Sequence, residues 1–262
     1  MPTDQALGPL QLERVEDPGD AARAVATEIA ELVRDAGRRN STAVVGLATG
    51  TTMEPVYAEL VRQHQADPFP AGAFAGALID EYLGLHPQDP RRFRSWVHAR
   101  LAPLGLPQEA IGGFNVDATP FGVECGARRY ASWLASSGGI DLLLLGVGRN
   151  GHIGFNEPGA GPFSRARVVA LADETREDAA GAFGSPDRVP CQAVTLGVRD
   201  LYAARRVRVL AFGSKKRDVL RRLGSEAPSS ALPVSLLRDH PDARLYADGE
   251  ALEAFAPVPP EA

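Results

Sequence analysis

A chain of 262 residues is long enough for one α/β domain with a well-buried core, or for two small domains in tandem. With 28 Lys and Arg against 33 Asp and Glu, the formal net charge of -5 excludes the basic excess that would draw in a nucleic-acid backbone or an anionic membrane. Neither cysteine, Cys125 or Cys191, lies in a CxxC pair or beside histidines that would complete a zinc site, so a reducing cytoplasm and no metal are expected. Met1 to Gly8 lacks a basic, apolar leader, and no later run approaches the roughly 20 apolar residues of a membrane helix.

The first 19 residues are polar and are expected to form a flexible N-terminal segment. From Asp20, a candidate cap, Val25, Ile29, Leu32, Val33 and Ala36 follow helical spacing until Gly37. Ala43 to Leu47 is too short for a helix and predicts a strand buried on both faces. The turn Ala48-Thr49-Gly50-Thr51-Thr52 leads into a helical stretch around Val56, Leu60 and Val61. Two further apolar runs end in polar side chains: Ala77 to Ile79 before Asp80-Glu81, and Ile140 to Leu145 before a glycine-rich loop. Later strands are expected at Ala193 to Leu196, Val207 to Phe212 and Ala243 to Tyr246, with helices at 122–136, 214–223 and 249–255. A short extended tail, Pro257 to Pro260, is expected to close the chain. The alternation predicts one α/β domain over 20–256, Rossmann-like, with a mainly parallel sheet, helices on both faces and a ligand outside the carboxyl ends of the strands. Segments 84–95 and 157–167, rich in Pro, Gly and Arg, are candidate lids.

Three clusters fall at those strand ends. In Thr49-Gly50-Thr51-Thr52, glycine permits close backbone approach while hydroxyls and helix N–H groups suit a phosphate; the same turn also reads as a plain helix cap. It lacks the lysine of a Walker loop and the GxGxxG spacing, so nucleotide binding is unsupported. Asp80 and Glu81 follow an apolar run, where desolvation raises a carboxyl toward the range of a useful base, although a strand-end acid also serves as a cap. The densest cluster is Gly146-Val147-Gly148-Arg149-Asn150-Gly151-His152-Ile153-Gly154-Phe155-Asn156-Glu157-Pro158, with more glycines and titratable groups than a connector requires. The bland alternative is a histidine that satisfies a loop carbonyl.

The strings LATGTT (47–52), DEYLGL (80–85), LGVGRNGHIGFNEPG (145–159), VTLGV (194–198), FGSKK (212–216) and LPVSLLRDHP (232–241) are similar in order and spacing to those of glucosamine-6-phosphate deaminases. The resemblance covers roughly residues 20 to 255, and GHIGFNEP is its most specific string. It implies conversion of glucosamine 6-phosphate to fructose 6-phosphate and ammonia, without metal or organic cofactor, by an enzyme classed under the headings hydrolase, deaminase and isomerase. Asp80 matches the general base that moves a proton between C2 and C1. His152 matches the residue that handles the ring-oxygen proton, supported by Glu157 and Asn150. Thr49, Gly50, Thr51, Thr52 and Lys216 match phosphate contacts, and Glu81, Gly148 and Gly151 match positions around the substrate. A homo-oligomer is compatible with the family.

Four positions depart from the family pattern. Asn150 stands where some members carry aspartate. Gly181, counted without gaps from Asp173-Glu174-Thr175-Arg176, falls where an arginine usually binds the phosphate; Arg176 and Arg188 are candidates to compensate. Met53 replaces a common proline and Arg94 a common aromatic. A related isomerase or deaminase with a changed substrate, and a non-catalytic sugar-phosphate sensor, therefore stand as alternatives, and a lactonase as a remote one. Residues used by members activated by N-acetylglucosamine 6-phosphate fall at Ala160, Gly161, Arg167 and Val169, of which only Arg167 keeps the needed type, so no such activation is expected.

Overall fold

The polar start of the chain, expected to be mobile to residue 19, instead supplies a strand and a helix cap. In the computed structural model, which describes Leu7 and residues 9–253, β1 (Gln11–Arg14) runs parallel to the last strand. Asp17, not Asp20, caps α1 (Pro18–Arg38): its carboxylate accepts from Gly19 N and Asp20 N, and the Asp20 side chain completes the capping box. The expected tail from Pro257 to Pro260 and the domain limit at 256 lie outside the described residues.

The elements then follow as β2 (Ala43–Leu47), α2 (Glu54–Ala66), β3 (Phe74–Leu78), β4 (Asp80–Tyr82), α3 (Phe93–Leu101), β5 (Ile111–Gly112) and α4 (Pro120–Ser136). After these come β6 (Leu142–Gly146), β7 (Arg167–Ala170), α5 (Asp173–Phe183), β8 (Gln192–Thr195), α6 (Val198–Tyr202), β9 (Val207–Ala211), α7 (Arg217–Ser225), β10 (Ala243–Ala247) and α8 (Gly249–Leu252). Seven strands form a parallel sheet in the order β1-β10-β9-β6-β2-β3-β5, as the apolar runs of β2, β6 and β9 require. Arg208 of β9 is buried, and its guanidinium meets Glu28 and Asp242 at 2.7 and 2.8 Å.

The chain goes to one side of β2 through β3 and β5, then returns to the other side through β6. This leaves a crevice at the carboxyl ends of β2 and β6, where a doubly wound sheet binds its ligand. The second sheet, β4-β8-β7, is antiparallel and was not expected. Past β3 the Ile79 carbonyl accepts from Leu196 N at 2.7 Å, and the chain continues as β4, pairing Asp80 with Thr195. Asp80 and Glu81 thus lie in a strand of their own. Tyr82, Phe93, Phe155 and Phe183 pack beneath this small sheet, with Tyr82 4.8 to 5.5 Å from the other three rings.

The two candidate lid segments are held to the body in different ways. Segment 157–167 is tied to the body by Gly159 N to Ser230 O (2.7 Å), Val198 N to Ser164 Oγ (3.0 Å) and Ala166 N to Asp200 Oδ2 (2.6 Å). Segment 84–95 runs directly into α3, where Arg94 donates to the Ile111 carbonyl at 2.9 Å and Phe93 lines the crevice.

Candidate active site

The crevice holds a cleft of about 260 Å³ lined from both sheets and from the turn before α7. From β2 come Thr49, Gly50, Thr51 and Thr52; Gly50 has a φ of +102°, a conformation only glycine adopts without strain. Beneath that turn Met53 is fully buried, and the Tyr57 hydroxyl donates to the Ala48 carbonyl at 2.6 Å. Lys216 lines the same cleft, its ammonium donating to the Val147 carbonyl at 2.8 Å. Burial lowers its pKa, while Asp178, which lines the same cleft, supports its charge.

Asp80 is 6 % exposed and lines the same cleft. Burial, with Glu81 alongside, pushes its carboxyl well above the usual range, which makes it a stronger base once ionised. Gly154 crowds it: a Cβ there would stand 3.4 Å from Asp80 Oδ2 and 3.1 Å from Thr195 Oγ1.

His152 faces the cleft with its ring stacked over Gly148, where a Cβ would come within 2.2 Å of Cε1. Its Nδ1 lies 2.8 Å from Asn150 Oδ1. The His152 backbone N–H, which can only donate, meets the same Oδ1 at 3.1 Å and so fixes the orientation of the amide. Nδ1 therefore carries the hydrogen, and in the neutral ring Nε2 keeps its lone pair. Burial, together with Lys216, lowers the His152 pKa against the opposite pull of Glu157 and Asp178. Asn150 passes the network on by donating Nδ2 to Glu157 Oε2 at 2.9 Å.

Two expected contacts belong to the scaffold instead. Glu81 does not line the cleft; its carboxylate accepts from Phe93 N (2.8 Å) and Arg94 N (2.9 Å), capping α3. Gly151 lies under Leu232, accepts from Val234 N at 2.9 Å and adopts a φ of +90°. Gly181 is exposed on α5 and away from the cleft. Arg176 is spent on the Pro186 carbonyl at 3.0 Å, and neither it nor Arg188 lines the cleft, so neither replaces a phosphate arginine there.

Thr175 and Asp178 were missed. Both come from α5, whose one strong sequence signal was the acidic first turn; nothing in its spacing showed that the face carrying 175 and 178 would meet the loop after β6. Asp178 is bound at 2.8 Å by Arg149, which also approaches Glu177. Among the described residues no three His, Cys, Asp or Glu side chains are grouped to hold a metal ion, and no helix is long and apolar enough to cross a membrane.

Residues 16–246 match the family described as glucosamine-6-phosphate isomerases/6-phosphogluconolactonase. The chain belongs to this family. It is 38% identical over 210 residues to a glucosamine-6-phosphate deaminase of Geobacillus sp. (strain WCH70), covering 80% of this chain and 83% of that one. The Streptomyces avermitilis enzyme of the same name is 37% identical over 232 residues, 88% of each chain. A solved structure of a monomeric glucosamine-6-phosphate deaminase superposes with a TM-score of 0.88 at 32% identity, covering 94% of this chain and 100% of that one. The 6-phosphogluconolactonase of Trypanosoma cruzi shares the fold at a TM-score of 0.75 and 19% identity, covering 95% of this chain and 97% of that one. The hydrolase heading expected with the resemblance does not hold, because the curated relatives are named deaminases and the matching family description leads with isomerases.

Proposed function

We propose that this family member converts glucosamine 6-phosphate to fructose 6-phosphate and ammonia, acting on a small aminosugar phosphate in the cytoplasm. The observation that carries the reading is that Asp80 and His152, from different sheets, line one cleft together with the threonine turn and Lys216. The N–H groups entering α2 and the Lys216 ammonium, which lines the same cleft, anchor the substrate phosphate. The sugar then extends toward the two proton-handling groups. His152, with Nε2 free, takes the proton of the anomeric hydroxyl and returns one to the ring oxygen as the ring opens. Asn150 and Glu157 hold it during that exchange. Asp80 removes the proton at C2 and delivers it to C1, which leaves an imine at C2; water then adds at C2 and displaces ammonia, giving the ketone.

Lys216 is the only lysine or arginine lining the cleft among the described residues, and Asp178 stands close to it. That charge balance favours, as a second reading, an aminosugar substrate whose phosphate is absent or differently placed. Ammonia release from glucosamine 6-phosphate, with free glucosamine alongside and Asp80→Asn as the blank, separates the two. Asp80-dependent release from the phosphate ester alone is expected. Release from glucosamine at equal efficiency selects the second reading, and no release from either refutes the first.

A further inference from the structure

Thr175, 5 % exposed in the first turn of α5, places Oγ1 2.7 Å from Glu157 Oε1 and 3.2 Å from His152 Nδ1. A hydroxyl has one proton to give. An ionised carboxylate only accepts, so that proton goes to Glu157, and Thr175 meets the imidazole with a lone pair. Glu157 is thereby held from three donors: Thr175 and Ala172 N (3.2 Å) on Oε1, and the Asn150 amide on Oε2. So anchored, Oε2 stops 3.6 Å from His152 Nδ1, beyond hydrogen-bond reach.

Resting on the reading above, in which His152 takes a proton from the substrate, we propose that Thr175 is a positioning residue that pins Glu157 and keeps that carboxylate from closing into a direct hydrogen bond with His152. An imidazole in contact with an unrestrained carboxylate is held as imidazolium, with no lone pair left to accept a proton. With Glu157 held back, burial outweighs it and the ring stays below its ordinary pKa. The remaining charges around the ring are Lys216, from the turn before α7, which opposes protonation, and Asp178, from α5, which favours it. Asp80 faces the same cleft from β4. Substitution of the threonine by valine keeps the shape and removes only the hydroxyl, which frees Oε1.

The test is a titration of the His152 ring by NMR in the substrate-free protein, paired with the pH profile of kcat/KM. In Thr175→Val, the histidine titration and the acid limb of the profile move to higher pH by at least about half a pH unit. At neutral pH kcat falls roughly 3- to 10-fold with KM nearly unchanged, because fewer molecules hold the neutral ring. Thr175→Ser restores both readouts, since it returns the hydroxyl. In a Glu157→Gln background, Thr175→Val produces no upward movement, because no carboxylate remains to close. A Thr175→Val histidine that titrates like the wild type or at lower pH overturns the proposal, as does a serine variant as impaired as the valine one. The titration needs no turnover, so it judges Thr175 even if wild-type protein releases no ammonia and the functional reading fails.

Discussion

Replacing Gly148 by alanine tests whether the position of the His152 ring limits turnover. The added Cβ would stand 2.2 Å from Cε1, 2.3 Å from Nδ1 and 2.6 Å from Nε2, so either the ring or the loop must yield. Restoring ordinary contact at about 3.4 Å displaces the imidazole by about 1.2 Å, and a misplacement of that size costs roughly 10²-fold in rate, or about 2.7 kcal/mol of barrier. Gly148 does not have a positive φ, so the backbone tolerates alanine and the stability loss stays within the ~1–3 kcal/mol of local overpacking. Gly151→Ala is the control. There φ is +90° and the Cβ would meet Leu232 Cδ1 at 2.3 Å, so the damage falls on folding more than on the ring. The assay is steady-state ammonia release normalised to folded protein, with thermal unfolding beside it. Gly148→Ala is expected to lose kcat with a modest drop in Tm, and Gly151→Ala to lose Tm first. A Gly148→Ala enzyme within about threefold of wild-type kcat, with an unchanged pH profile, refutes the reasoning.

Asp80→Asn is expected to lower kcat by about 10²- to 10⁴-fold while raising Tm at neutral pH, measured by activity and calorimetry. Because burial raises the folded-state pKa of Asp80, its contribution to stability is complete at acid pH and is lost as pH rises through that raised value, so the gain from asparagine grows with pH. Glu81→Ala leaves the α3 N–H groups of Phe93 and Arg94 without their acceptor and should cost about 1–3 kcal/mol in denaturant unfolding. Asp178→Asn removes the carboxylate beside Lys216, and a several-fold fall in KM for the phosphorylated substrate, diminishing with added salt, is the expected result. N-acetylglucosamine 6-phosphate should leave the saturation curve unchanged: Ala160 is buried and Arg167 is held on Asn156 Oδ1 at 3.0 Å, and a curve that sharpens refutes this.

The parallel sheet and the crevice were legible in the sequence because buried strands write themselves as short apolar runs, and the turns after β2 and β6 carry glycines and polar side chains at their carboxyl ends. Asp80, His152, Lys216 and the threonine turn were found on that basis and through the family motifs, and all line one cleft. The antiparallel sheet was not legible. β4 is three residues long and β7 is only half-buried, so neither shows a period that distinguishes a strand from a loop. The same limit hid the split between adjacent carboxylates: alternation along β4 turns Asp80 into the cleft and Glu81 toward the start of α3, and a one-residue change of register would exchange them.

By itself, then, the sequence determined the α/β architecture, the strand ends that carry polar chemistry and, through its motif strings, the family. Tertiary structure alone decided which groups act on one another. Thr175 reaches Glu157 across 18 positions of chain, and Asp178 reaches Arg149 across 29. Hydrogen bonds across such separations are set by how α5 packs on the loop after β6. That packing is a property of the folded surfaces, and local periodicity carries no record of it.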